Sequence, residues 1–178
     1  VDLWRLWVPS WGFPKLGLRQ SYRIEQLSRA SQLLHCCMNV PWPIAGRDTV
    51  IHAHGCDQLQ DGIITVVVDT LEQSEFPQHI LPAPDKDDVR IDVQGGVLFK
   101  VQSKESCRIQ MMWKIDPKVS FVPPVLINLV TRNFAHAGIA RFRDMACNLE
   151  GTEYESRIAA NDNIYGFVAT RLREASYL

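Results

Sequence analysis

The chain has 178 residues and a mass of 20.3 kDa, enough for one domain that removes roughly 70% of its unfolded surface from water. With 19 Lys+Arg against 20 Asp+Glu the formal net charge is -1, and the basic residues are scattered, which excludes the electrostatic footprint of a nucleic-acid binder. At 46% hydrophobic and 22% charged residues, the composition also excludes intrinsic disorder.

The sequence opens at Val1 with neither Met nor a charged-then-apolar leader, which reads as a fragment without a signal peptide. Trp4, Trp7 and Trp11 follow at helical spacing, and Pro9, Gly12 and Pro14 limit any helix there to about two turns. Residues 1–30 therefore read as a Trp- and Pro-rich helical lead-in, with a second short helix over 18–30. The longest uncharged stretch, 30–46, contains Ser, Gln, His, Asn and two prolines, so it lacks the ~20 apolar residues of a membrane-spanning helix.

From Ser31 the apolar period changes to two. Leu34, Cys36, Met38 and Val40 alternate with His35, Cys37 and Asn39, predicting a half-buried strand over 31–40 that ends at Pro41-Trp42-Pro43. Arg47-Asp48 opens a strand over 47–57, and the run Val66-Val67-Val68 marks another over 62–71. Pro77, Pro82 and Pro84 make 72–88 a loop of unusual length, a feature of functional or mobile segments. Alternation then predicts strands over 88–94, 96–103 and 106–116, with Gly95-Gly96 as a hairpin turn between the first two. Short connections make this a six-stranded antiparallel meander with one apolar face.

Pro123-Pro124 starts a predicted helix over 123–148, because proline at the first turn lacks only an N–H that would have had no partner. Leu126, Leu129, Val130, Phe134, Ala137 and Ala140 form its broad apolar face, which must cover something apolar. Ile164, Phe167, Val168 and Leu172 form a second apolar stripe in a C-terminal helical extension over 150–178. A curved sheet closed by one long helix is a container plan, filled either by side chains or by an apolar ligand.

Val40-Pro41-Trp42-Pro43 followed by Arg47-Asp48-Thr49-Val50 resembles the strand-loop-strand signature of the steroidogenic-acute-regulatory-protein-related lipid transfer (START) domain. Val89-Arg90-Ile91, the Gly96 turn, Met112-Trp113-Lys114-Ile115-Asp116 and Pro124 to Asn128 resemble the second half of that family in the same order. The resemblance implies an α+β helix-grip fold, a curved antiparallel sheet gripping the long C-terminal helix, with a partial START-like domain over 31–149. It implies one bound lipid, whether sterol, phospholipid or other hydrophobic ligand, between sheet and helix, and no catalysis or cofactor. The helix and about three strands that open a START domain are missing upstream. Ala53 stands where sterol-type members carry a buried Arg, so no charged cavity is expected.

The candidate lipid-contacting residues are Ile51, Ala53, Val66, Val68, Met111, Trp113, Leu126, Leu129, Val130 and Phe134, each of which would equally suit a filled core. A filled cavity would make the chain a scaffold or accessory subunit, and a buried polar constellation would point to an enzyme on the related cyclase or hydrolase fold. Arg47 and Asp48 point to opposite faces of one strand and read as a structural pair. His52, His54 and Cys56 share one strand face, but three ligands in a row splay apart by ~6.6 Å per step, which argues against zinc. The five cysteines, with no C-x-x-C spacing, read as reduced thiols in the cytoplasm, and Cys36 and Cys37 as buried apolar residues. A protein partner is expected at the sheet edge and at residues 160–175; Trp4, Trp7 and Trp11 read as packing residues, although an exposed cluster would suit peripheral membrane contact.

Overall fold

The computed structural model describes residues 17–40, 44–74, 76–77, 81–85, 87–119 and 122–178, with the side chains of 124, 126, 129, 130, 133 and 134 excepted. The tryptophans at 4, 7, 11 and 42 lie outside the described residues. Strands β1 (Gly17–Ser28), β2 (Ser31–Asn39), β3 (Arg47–Gln58), β4 (Ile63–Thr70), β5 (Val89–Arg90), β6 (Asp92–Ser103) and β7 (Ser106–Asp116) precede three helices. These are α1 (Pro124–Cys147), α2 (Glu153–Ala160) and α3 (Asp162–Glu174). The sheet has seven strands in the order β1-β2-β3-β4-β6-β7, with β5 attached to β3.

Three expectations are corrected. The helix expected over 18–30 is strand β1, paired antiparallel with β2 from Gly17↔Asn39 to Ser28↔Ser31. Irregularities between Leu18 and Gln20, Arg23 and Glu25, and Gln26 and Ser28 break its alternation, so the period-two signal is lost although the strand persists. Gly95-Gly96 is no hairpin turn but lies inside β6, which runs unbroken and pairs with β7 from Asp92↔Asp116 to Ser103↔Ser106. The reason is close approach: a Cβ on Gly95 would lie 2.1 Å from Met112 O, and one on Gly96 2.4 Å from Val66 O. Finally, the sheet is antiparallel except for the two-residue β5, which runs parallel to β3 through Arg47↔Val89 and Asp48↔Arg90. It occupies the place beside β3 that β4 vacates after Thr70.

The densest core lies on one face of the β1-β2-β3 end. Leu33 and Val50 are fully buried there with Leu71, and Ile24, Phe76 and Leu81 pack against them. Leu71, Phe76 and Leu81 thus cover this face of the sheet, and each such apolar side chain contributes ~1.5–3 kcal/mol by leaving water. Helix α1 starts with Pro123 as N-cap and proline at its first turn, as the sequence predicts. Val125 and Ile139 point to solvent, Ala140 is exposed, and Met145 is buried, with Tyr154 Oη donating to its Sδ. Of the expected apolar face of α1, the side chains of Leu126, Leu129, Val130 and Phe134 lie outside the described residues.

The C-terminal extension, expected to dock on a protein partner, folds back onto the sheet. Arg171 Nε donates to Asp57 Oδ2 at 2.6 Å, and the Arg29 guanidinium lies 4.6 Å from the centre of the Phe167 ring. Ile164, Phe167, Val168 and Leu172 are half-buried. Packing against the sheet removes part of the apolar stripe from water, which a helix this short needs to persist.

Candidate functional site

Residues paired across antiparallel strands share a face, so the register assigns every strand side chain to one side of the sheet. Ala53↔Val68, Val68↔Gly95 and Gly95↔Trp113 make one continuous row across β3, β4, β6 and β7. The next row is Gly55-Val66-Val97-Met111, followed by Asp57-Ile64-Phe99-Ile109. Ile51, two residues before Ala53, lies on the same side opposite Thr70. The structure therefore brings Ile51, Ala53, Val66, Val68, Met111 and Trp113 together on one apolar face, the side opposite the core beneath segment 71–91.

Bulk is distributed unevenly over this face. Ala53, Gly55 and Gly95 leave its middle shallow, while Trp113 lies across Gly95, with Cε3 2.9 Å from where a Cβ would stand. Val68 is buried, Ile51, Ala53 and Val66 are half-buried, and Met111 and Trp113 remain 38% and 44% exposed. A shallow apolar floor flanked by large flexible and aromatic side chains can hold an elongated hydrophobic molecule by contact alone.

The polar chemistry sits on the other face and was largely missed in the sequence. Asp48 is fully buried and accepts hydrogen bonds from Arg90 Nε at 3.2 Å and from an Arg90 terminal nitrogen at 2.5 Å. It also lies 2.8 Å from His35 Nε2, and because an ionised carboxylate only accepts, that ring nitrogen is the donor. His35 Nδ1 is 3.0 Å from Tyr22 Oη, and the two rings meet edge to face. Burial pushes the Asp48 carboxyl up, but the hydrogen bonds from Arg90 and His35 outweigh it and hold the group below its usual range. The Cys37 thiol is pushed up, first by burial, and its Sγ lies 3.6 Å from the same His35 nitrogen that serves Asp48. A catalytic triad places nucleophile and carboxylate on opposite ring nitrogens, so this cluster is built as a clamp. Arg90, which also donates to Pro82 O at 2.6 Å, ties segment 71–91 to the sheet.

A second tie lies beside it. Arg19 on β1 pairs with Asp85 at 2.6 Å and Asp88 at 2.5 Å. Cys37, Asp85 and Asp88 present ligand atoms within 4.8 Å of one another, but the Arg19 guanidinium already neutralises both carboxylates where a cation would bind. Arg47 donates to the carbonyls of Pro117 and Ala45 at 2.8 and 2.6 Å, so Arg47 and Asp48 each serve the fold from opposite faces. His52 and His54 face the side opposite Ile51 and Ala53, with ring centres 5.1 Å apart and His52 Nε2 2.7 Å from Ser31 Oγ. A lone polar residue such as His35 at an interior strand position was the one sequence signal for this cluster.

No family model matches the sequence, and no curated protein matches it. Among solved structures, the human StarD13 (DLC2) lipid transfer and protein localization domain superposes with a TM-score of 0.58 at 22% identity, over 71% of this chain and 60% of that one. A STAR-related lipid transfer protein fragment from Xanthomonas axonopodis gives 0.59 at 21% identity, covering 83% and 73%. Human StAR-related lipid transfer protein 5 gives 0.57 at 14% identity, covering 71% and 59%. The chain has the START helix-grip fold. At these identities the likeness is one of fold, and the chain spans about 60% of the StarD13 domain. Within the START fold, β1 and β7 are the edges of the sheet among the described residues, and β7 exposes Met112 at 80% and Ile115 at 53%. No helix among the described residues is long and apolar enough to cross a membrane.

Proposed function

We propose that this chain binds one hydrophobic lipid, without catalysis, against the face that carries Ile51, Ala53, Val66, Val68, Met111 and Trp113, with Leu126, Leu129, Val130 and Phe134 of α1 as its cover. The observation that carries this reading is the register, which aligns the small residues Ala53, Gly55 and Gly95 with Val66, Val68, Met111 and Trp113 on the face opposite the outer core. The likeness to lipid transfer domains supports it. Removing ~400 Å² of ligand surface from water contributes ~10 kcal/mol gross, much of it offset by ordering costs. Ligand access requires movement of α1 or of segments 58–61 and 72–88, with brief contact at a membrane surface during exchange. Cys37, Cys56, Cys107 and Cys147 are thiols, which suits a reducing compartment such as the cytoplasm.

Ala53→Trp in the full-length protein is expected to lower the molar ratio of co-purifying lipid at least about tenfold, since a bulky ring fills the shallow floor. Mass spectrometry of extracted lipids, with circular dichroism to verify folding, reads this out. Unchanged occupancy in a folded variant rejects the carrier reading. A second reading, a START-derived scaffold with a filled cavity, is favoured by the exposure of Met112 and Ile115 along β7. Lipid-free protein that captures a partner through this edge would establish it.

A further inference from the structure

Helix α3 does not end in open solvent. Ser176 adopts a left-handed conformation, φ 61, its N–H bonds to Arg173 O at 2.9 Å, and the N–H of Tyr177 bonds to Leu172 O at 2.8 Å. This paired hydrogen-bond pattern is a Schellman turn, and it folds the last residues back beside Leu172. The position of the turn is held by the Arg171–Asp57 ion pair and by Gly62, where a Cβ would lie 2.6 Å from Tyr177 Oη.

The returned segment meets a particular part of the sheet. Leu172, Tyr177 and Leu178 border an open groove of about 350 Å³, whose other wall includes Ile64, Phe99 and Cys107. Ile64 and Phe99 pair with each other and continue the apolar rows of Val66-Val97 and Val68-Gly95 by one more step along the strands. Cys107, opposite Val101, lies on that same side. The groove is thus the far end of the proposed lipid face, roofed by the C-terminal segment.

We infer that the C-terminal segment is the end wall of the lipid site, so that Leu172 and Tyr177 contact the distal end of a bound alkyl chain and set the longest chain accommodated. This rests on the lipid-binding reading above. The occupant is the alkyl end of the lipid, because Ile64, Phe99 and Val101 on the sheet side of the groove continue the apolar rows already assigned, beside the polar hairpin residues Ser103, Lys104, Glu105 and Ser106. Each methylene that leaves water is worth about a fourfold gain in affinity, so a wall shows as a chain length beyond which that gain stops.

The test displaces the dye ANS from the full-length protein with a homologous series of saturated fatty acids. In the wild type, affinity rises with chain length and then levels off. The combined variant Leu172→Ala, Tyr177→Ala opens the wall, and the rise continues about fourfold per methylene past the wild-type limit. Cys107→Leu adds bulk from the sheet side without touching the tail, and its limit falls at a shorter chain, which keeps the test decisive should the double variant fail to fold. The same limit in all folded proteins overturns the end wall and leaves lipid binding intact. Displacement by no member of the series, from any of them, overturns the lipid-binding reading itself.

Discussion

Asp48→Ala is expected to destabilise the protein by about 3–5 kcal/mol, the cost of leaving buried polar and charged groups without their partner. Asp48 is 0% exposed and is the common acceptor for Arg90 and His35, and Arg90 also carries the bond that fastens Pro82. Its loss strands a guanidinium and an imidazole N–H against the core formed by Leu33, Val50 and Leu71 and loosens segment 71–91 together with them. Asp48→Asn keeps the volume and one acceptor oxygen and is expected to cost less. Urea denaturation of the full-length protein measures both, and a loss below about 1 kcal/mol for the alanine variant contradicts the clamp. The pH dependence follows from the direction of the shift. The carboxyl is held below the usual carboxylate range, so its contribution is fully present above that range and is lost as pH falls through the depressed native value. Asp48→Asn is expected to flatten the acid limb of the stability profile and leave the neutral limb unchanged in shape.

Gly95→Ala is expected to cost about 3 kcal/mol or to prevent folding, because the methyl group meets backbone that has nowhere to move. Gly95 has φ 153, and its Cβ would lie 2.1 Å from Met112 O and 2.9 Å from Trp113 Cε3. Accommodating it means prising β6 from β7 in the middle of the longest ladder at this side of the sheet, and tilting Trp113 off the apolar face. Gly151→Ala is the control: its φ of 71 is also positive, yet nothing lies within 4 Å of the added atom, so only the left-handed conformation costs, about 1 kcal/mol. Denaturation midpoints of the two variants separate close approach from backbone strain. Equal losses would show that the β6–β7 contact is looser than the register implies.

The sequence by itself determined the strands whose side chains alternate against a single buried face. β2, β3, β4 and β7 lie within a few residues of where the alternation puts them, and the phase of that alternation placed Ile51, Ala53, Val66, Val68, Met111 and Trp113 on one side. A one-residue error in any strand would have scattered this set over both faces, so its coherence follows from period two alone. Local signals failed where tertiary contacts override them. β1 is a strand because β2 pairs with it, while its irregularities erase the period that would have announced it. Gly95-Gly96 carries the sequence of a turn and the function of a spacer, because neighbouring backbones approach from both sides. The Asp48 clamp joins groups 13 and 42 residues apart in the chain, a proximity that no local pattern encodes. The tail's apolar stripe was legible, but its destination was not: amphipathicity states that a face must be covered, and only the placement of Asp57 and Gly62 decides what covers it.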